Sequence, residues 1–301
     1  MDRGRGEHAP GRVVVVGAGG QVGRLLVGRL SGHTEVWALT STDLDITDAS
    51  AVRHTLADLA DTDVVINCAA YTAVDAAETD VQRAEAVNAA GPAHLAQATA
   101  AAGAWLIHIS TDYVFTDAEA VGRPLEPDDL RADQTPATVY GRTKLAGERA
   151  ATAADPQTTV VRTAWVYTGQ AQTGDFVSTM RRLERQRPEI DVVADQVGSP
   201  TYAVDLAGGL VELAATRSAA GVTLHATNSG TASWFDLAQA VFAGVGADPD
   251  RVRPTTTAAF PRPAPRPAYS ALSGRSWERA GLTPLRPWPV ALRAALSAPD
   301  A

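Results

Sequence analysis

The sequence predicts an α/β fold: a doubly wound parallel sheet followed by a smaller C-terminal lobe. Three observations carry that expectation. Val13 to Val16 form an unbroken β-branched run, the pattern of a strand buried on both faces. A glycine cluster, Gly17-Ala-Gly-Gly20-Gln-Val-Gly23, follows at once and opens a helix-patterned stretch. Strand-like and helix-like stretches then alternate to about residue 165, which requires right-handed crossovers between parallel strands.

Taken in order, Val22, Leu25, Leu26 and Leu30 recur at helical spacing over 21–30. Strands are expected at 35–39, 64–67, 105–109 and 159–163, with helices at 49–59, 81–102 and 140–153. Beyond 165 the rhythm loosens into helices at 176–187, 204–215 and 234–245 and short strands at 191–193 and 222–225. Pro254, Pro261, Pro263, Pro265 and Pro267 then hold the chain extended. An apolar tail follows them (Leu272, Trp277, Leu282, Trp288), so a loop wrapping a cleft is expected rather than a linker. The division is a flexible leader over 1–11, a sheet domain over 12–165 and a lobe over 166–301, some segments of which return to the sheet.

Composition removes several function classes. The net charge of −8 without a basic block gives no footing on nucleic acid or an anionic membrane. A single cysteine, Cys68, excludes an internal disulfide framework and fits a reducing, cytoplasmic home. No apolar run reaches the roughly 18 residues that a membrane span needs. The leader holds Arg3 and Arg5 but no apolar h-region, unlike a signal peptide. The six histidines show no metal-ligand spacing, so no metal is expected.

The glycines Gly17, Gly20 and Gly23 sit at the strand-to-helix turn, where a missing Cβ lets a pyrophosphate approach the free N–H groups of a helix N-terminus. Their G-x-x-G-x-x-G spacing differs from the commonest dinucleotide fingerprint, and a plain tight turn is the alternative. After the second strand come Thr40, Ser41 and Thr42, where an NAD site carries an acid. Hydroxyls do not repel a 2′-phosphate, which favours NADPH, with NADH as the alternative.

Tyr140 and Lys144 are four apart, on one face of a helix. A phenol is a poor acid–base at neutral pH, and a neighbouring ammonium favours its phenolate. Chance on a solvated helix explains such a pair elsewhere; here it follows the fourth strand of a dinucleotide-type domain. That strand ends in Ser110-Thr111-Asp112-Tyr113, hydroxyls placed where open α/β sheets bind ligands. A hydroxyl there can hydrogen-bond a carbonyl, or simply cap the strand.

With Asn67-Cys-Ala-Ala-Tyr-Thr-Ala-Val-Asp75, Ser110-Thr-Asp-Tyr-Val-Phe115, Val139-Tyr-Gly-Arg-Thr-Lys-Leu-Ala-Gly-Glu148 and Asp195-Gln-Val-Gly-Ser-Pro-Thr201, the chain resembles the dTDP-4-dehydrorhamnose reductase family. That family belongs to the extended short-chain dehydrogenase/reductase superfamily. The resemblance implies a Rossmann-type, NAD(P)-binding sheet domain and a nucleotide-sugar lobe. It assigns Thr111, Tyr140 and Lys144 to catalysis. Gly17, Gly20, Gln21, Val22, Asp45, Ile46, Ala69 and Ala70 would line the cofactor, with Tyr140 and Lys144 at its nicotinamide ribose. Thr72, Val74, Tyr113 and Trp165 would hold the sugar, and Asp195, Gln196, Pro200, Thr201 and Arg266 the nucleotide side of the cleft. The implied reaction is NADPH-dependent reduction of the 4-keto group of a dTDP-linked 6-deoxyhexose, foremost dTDP-4-dehydro-L-rhamnose, or another dTDP-4-keto sugar of a natural-product pathway. The sequence leaves a homodimer open.

The match departs in places. Asp175 stands where the family commonly has Asn, which puts a charge near the expected diphosphate. A dehydratase of the superfamily carries a glutamate beside the strand-end aspartate, where this chain has Tyr113. A 4-epimerase needs only the tyrosine, the lysine and retained NAD. A non-catalytic NADP-binding regulatory subunit of the same resemblance is the non-enzyme alternative; the complete Thr111, Tyr140 and Lys144 set weighs against it. Asp75 and Glu78 are read as helix N-terminal charges. Of the six tryptophans, Trp165 is taken as a sugar platform and the others as packing.

Overall fold

A computed structural model describes residues 10–116, 122–170, 173–217 and 219–298; most of the leader, residues 1–9, lies outside these. The chain runs β1 (Arg12–Val16), α1 (Gln21–Leu30), β2 (Glu35–Leu39), α2 (Ala49–Thr55), β3 (Val64–Asn67), α3 (Val74–Ala77), α4 (Val81–Glu85), α5 (Gly91–Ala102), β4 (Trp105–Thr111), α6 (Val139–Ala154) and β5 (Thr159–Thr163). It continues through β6 (Val166–Tyr167), α7 (Phe176–Gln186), β7 (Ile190–Val193), β8 (Val197–Gly198), β9 (Thr201–Tyr202), α8 (Ala203–Thr216) and β10 (Thr223–His225). The last elements are β11 (Ala232–Ser233), α9 (Trp234–Gly244), β12 (Val252–Thr255), α10 (Arg275–Arg279) and α11 (Trp288–Ser297).

Among the described residues, six strands form one sheet in the order β10-β5-β4-β3-β1-β2, with every pairing parallel. The valine run of β1 explains itself in section. Val13 and Val15 pack with Leu26, Leu30, Leu206 and Leu210 on one face; Val14 and Val16 pack with Leu44, Val52, Leu95 and Leu106 on the other. All four valines are buried, each worth about 1.5–3 kcal/mol of apolar transfer. Strand order reverses around β1, so the C-terminal ends of β1, β3 and β4 open on one crevice.

The C-terminal half contributes to both parts of the molecule. β10 closes the sheet beside β5, and α8 lies on α1. The remaining elements form a core of their own around Tyr167, Val177, Leu237, Val241, Phe242 and Leu292. Beside it, β7 and β12 pair in parallel, so Pro254 sits within a two-stranded edge where its missing N–H is tolerated. Among the described residues no helix is long and apolar enough to cross a membrane.

Three elements differ from expectation. Helix α2 stops at Thr55 instead of 59, although Asp48 caps its start through Ser50 N (2.8 Å) and Ala51 N (3.1 Å). The helix expected over 81–102 contains a π-helical turn, Ala86–Ala90. At this turn the Asn88 amide is held by residues outside the helix, accepting from Tyr71 N (2.8 Å) and donating to Tyr71 O (3.1 Å) and Thr143 Oγ1 (3.1 Å). Finally, β4 runs on to Thr111, because Ser110 and Thr111 pair with Arg162 and Thr163.

Candidate active site

The glycine loop is built by contact. Gly17 has φ +78°, and a Cβ there would stand 2.6 Å from Ala69 N. A Cβ on Gly23 would run into the Gly17 carbonyl, so the helix can start this close to the strand only without one. Gly20 differs: its nearest neighbour would be Gly17 O at 3.4 Å, leaving its surface open to an incoming group. This cradle fits a dinucleotide pyrophosphate, with the free N–H groups of α1 aimed at it. Next to it, exposed Arg24 donates from Nε to Gly19 O (2.8 Å).

Helix α6 is held at its N-terminus by two caps. Thr138 Oγ1 accepts from Gly141 N (2.9 Å), and Glu78 Oε1 accepts from Val139 N (2.9 Å). Gly141 carries no Cβ because the Tyr113 carbonyl occupies that space. The first turn of α6 is thereby pressed onto the end of β4, which sets Tyr140 beside Thr111.

One cleft of about 670 Å³ gathers Gly20, Gln21, Val22, Ala70, Thr72, Val74, Thr111, Tyr113, Tyr140, Lys144 and Trp165. Gly17 and Ala69 pack against one another and are not among the residues that line this cleft. Asp45 and Ile46 lie further along the loop after β2: Asp45 is exposed and accepts from Thr47 N (2.9 Å), while Ile46 is buried under Gly91. Arg266 borders a second cavity of about 450 Å³ that shares Tyr113 with the first. Its guanidinium pairs with Asp75 at 2.8 Å, tying the proline-rich loop to α3. Asp195 and Gln196 both bind Thr257, and Pro200 and Thr201 are buried, Thr201 N donating to Trp165 O (3.2 Å). These last four do not line the main cleft.

The cleft's chemistry follows from burial. Desolvation pushes the Tyr140 phenol up to about 12, opposed by the Thr111 hydroxyl, so it is a fully protonated acid at neutral pH. Lys144 is 2 % exposed, and burial pulls its ammonium down to about 8, against the pull of Glu148. Its Nζ donates to Ile109 O (2.7 Å). Thr111 Oγ1 donates to Asp112 Oδ1 (3.0 Å), and burial raises the Asp112 carboxyl to about 6.

Asp175 brings no loose charge to the cleft. Its Oδ2 accepts from Thr168 N (2.8 Å), Thr168 Oγ1 (2.9 Å) and Thr173 Oγ1 (2.7 Å), and its Oδ1 caps α7 through Ser178 N (2.8 Å). Trp234 packs against the core of the C-terminal lobe, as expected of it, and reaches the cleft as well. It stacks on Trp165 with ring centroids 3.5 Å apart and borders the cleft with Phe176. Sequence reasoning also missed Asn67 and His108 behind Lys144. A signal existed: Lys144 is the only lysine in the chain, every other basic side chain being arginine or histidine.

The family model described as RmlD substrate binding domain matches residues 11–300. A dTDP-4-dehydrorhamnose reductase of Mycolicibacterium smegmatis is 56 % identical over 291 residues, covering 95 % of this chain and 85 % of that protein. Among solved structures, the dTDP-4-dehydrorhamnose reductase of Clostridium acetobutylicum superposes with a TM-score of 0.86 at 40 % identity, covering 95 % of this chain and 98 % of that one. That of Bacillus anthracis, solved in complex with NADP, gives 0.84 at 34 % identity, with the same coverage.

Proposed function

Because the chain belongs to the RmlD substrate-binding-domain family, that of the dTDP-4-dehydrorhamnose reductases, we propose that it reduces the 4-keto group of dTDP-4-dehydro-L-rhamnose to give dTDP-L-rhamnose, using NADPH. The observation that carries this reading is one cleft in which the glycine cradle, Thr111, Tyr140 and Lys144 meet.

Bound NADPH supplies a hydride to carbon 4 of the sugar. Tyr140, protonated at neutral pH, gives its proton to the carbonyl oxygen as negative charge builds there. Thr111, beside the phenol, gives that oxygen a second hydrogen bond by turning its hydroxyl proton from Asp112 Oδ1 to the substrate. Lys144 holds the ribose side of the site and supplies a cation whose charge is adjustable near neutral pH. Thr72, Val74, Tyr113 and Trp165 form the sugar wall, and Arg266, in the adjoining cavity, is the cation for the anionic part of the substrate. Binding energy from the nucleotide, remote from the reacting carbon, positions the ketone. A cytoplasmic site of action and a homodimer complete the proposal, the latter checked by light scattering.

The test is NADPH oxidation with dTDP-4-dehydro-L-rhamnose, beside a Tyr140→Phe sample. Turnover by the parent protein and a loss of about 10²–10⁴-fold in the variant are expected. Binding of both ligands without turnover overturns this substrate in favour of another dTDP-4-keto sugar.

A further inference from the structure

Behind the catalytic lysine lies a closed chain of side chains that the reaction as written does not use. Asn67 ends β3 and His108 lies on β4, both fully buried, directly across the sheet from one another. Asn67 Oδ1 accepts from Ala69 N (3.0 Å), which fixes the amide's orientation and turns its NH₂ toward His108. The separation from Asn67 Nδ2 to His108 Nδ1 is 3.0 Å. An amide NH₂ can only donate, so Nδ1 must be the accepting nitrogen and the ring's proton must sit on Nε2. That Nε2 faces Lys144 Nζ at 3.5 Å.

The geometry therefore opposes an N–H donor to the lysine. An ammonium has no lone pair to accept it; a neutral amine does, and can still donate to Ile109 O. We propose that Asn67 and His108 act as a tautomer lock that favours the neutral form of Lys144 and so sets the pH at which the site gains or loses its cation. His108 is a positioning residue: it touches neither ligand and acts through Lys144.

Other groups also face Lys144, and the Glu148 carboxylate works against the lock by favouring the ammonium. Glu148, one turn along α6, is engaged by Arg162 through two bonds of 2.7 and 3.0 Å. The Cys68 thiol, beyond β3, is pushed up to about 12 by burial and stays uncharged. Tyr140, one turn back, is likewise neutral. Burial holds His108 itself well below its ordinary range, so it supplies no charge of its own.

The inference deepens the reductase reading and rests on it for its consequence in turnover, but its test needs no substrate. Because Lys144 is the only lysine, protein grown on [¹³Cε]lysine gives one side-chain signal that titrates with this residue alone. Protein grown on [¹⁵N]histidine reports which ring nitrogen of His108 bears the proton. The expected result for the cofactor-free parent is His108 protonated on Nε2. In Asn67→Asp the carboxylate accepts from Nδ1–H, the tautomer reverses, and Nε2 becomes an acceptor for the ammonium. The Lys144 midpoint should then rise by at least about one pH unit, a tenfold gain in proton affinity. His108→Phe, which removes the Nε2 donor and keeps the volume, should raise it as well. An Nδ1–H tautomer in the parent protein overturns the proposal even if neither variant folds. A reversed tautomer with an unmoved lysine overturns it equally. Loss of turnover with these spectra as expected would count against the reductase reading instead.

Discussion

Trp165 and Trp234 lie face to face, their planes 6° from parallel and their ring centroids 3.5 Å apart. The pair joins the end of the sheet domain to the first turn of α9, and Trp165 holds it with a backbone φ of +47°, unusual for a bulky side chain. Gly198 sits against the other side of the ring, where an added Cβ would approach Cζ2 at 2.6 Å. Gly198→Ala should therefore displace the indole toward the cleft at a cost of about 1–3 kcal/mol. We expect KM for the sugar nucleotide to rise while the NADPH dissociation constant stays put. Equal KM in parent and variant would remove Trp165 from the sugar wall.

The three loop glycines should separate by phenotype. Gly23→Ala drives a methyl into the Gly17 carbonyl and should lower Tm and abolish cofactor binding together. Gly20→Ala meets only an ordinary contact at 3.4 Å, so Tm should hold while NADPH affinity falls at least tenfold. Fluorescence titration beside a thermal melt checks both; unchanged affinity in Gly20→Ala would place the pyrophosphate elsewhere.

Asp75 and Arg266 fasten the proline-rich loop to α3 beside the second cavity, and both are partly exposed. Arg266→Ala should thus cost less than about 1 kcal/mol of stability. Its effect belongs on substrate binding, seen as a raised KM with kcat nearly kept.

Glu148 and Arg162 form the opposite case, an ion pair with 6 % and 4 % side-chain exposure. Removing one partner by Glu148→Gln leaves a buried guanidinium without its carboxylate and should cost about 3–5 kcal/mol in urea unfolding.

His225 predicts the acid limb of stability. Its ring is buried, donates from Nδ1–H to Leu125 O (2.9 Å), and is pulled down to about 3 by desolvation and by Arg162. The unfolded chain takes up a proton near pH 6.5 that the folded state refuses, so stability is lost as pH falls from about 6.5 toward 3. The loss amounts to about 2 kcal/mol at pH 5 for this group. Asp112, raised to about 6, acts in the other direction because its folded form takes up a proton first. The slope of unfolding free energy between pH 7 and 5 in His225→Gln, compared with the parent, isolates the histidine. An unaltered slope would show that the ring is charged in the folded protein.

How much of this was written in the sequence divides along physical lines. The valine run, the helical spacing of Leu26 and Leu30 and the glycines between them are local signals. Each acts through backbone propensity and burial pattern within a few residues, and from them the parallel sheet and its order of elements could be read directly. Tyr140 and Lys144 were legible for the same reason, being one helical turn apart. What only the tertiary structure decided are relations between residues far apart in the chain. Trp234 enters the cleft because α9 packs its N-terminus on Trp165, and a tryptophan's surroundings leave no mark in its own neighbourhood. Asp175 is satisfied by a loop that closes on it, and Arg24 reaches back over the glycine turn. The charge of Lys144 is the sharpest example. Its spacing from Tyr140 suggested a fixed cation, whereas burial under β4 and the donor on His108 decide how readily it keeps its proton, and desolvation is a property of the folded protein alone.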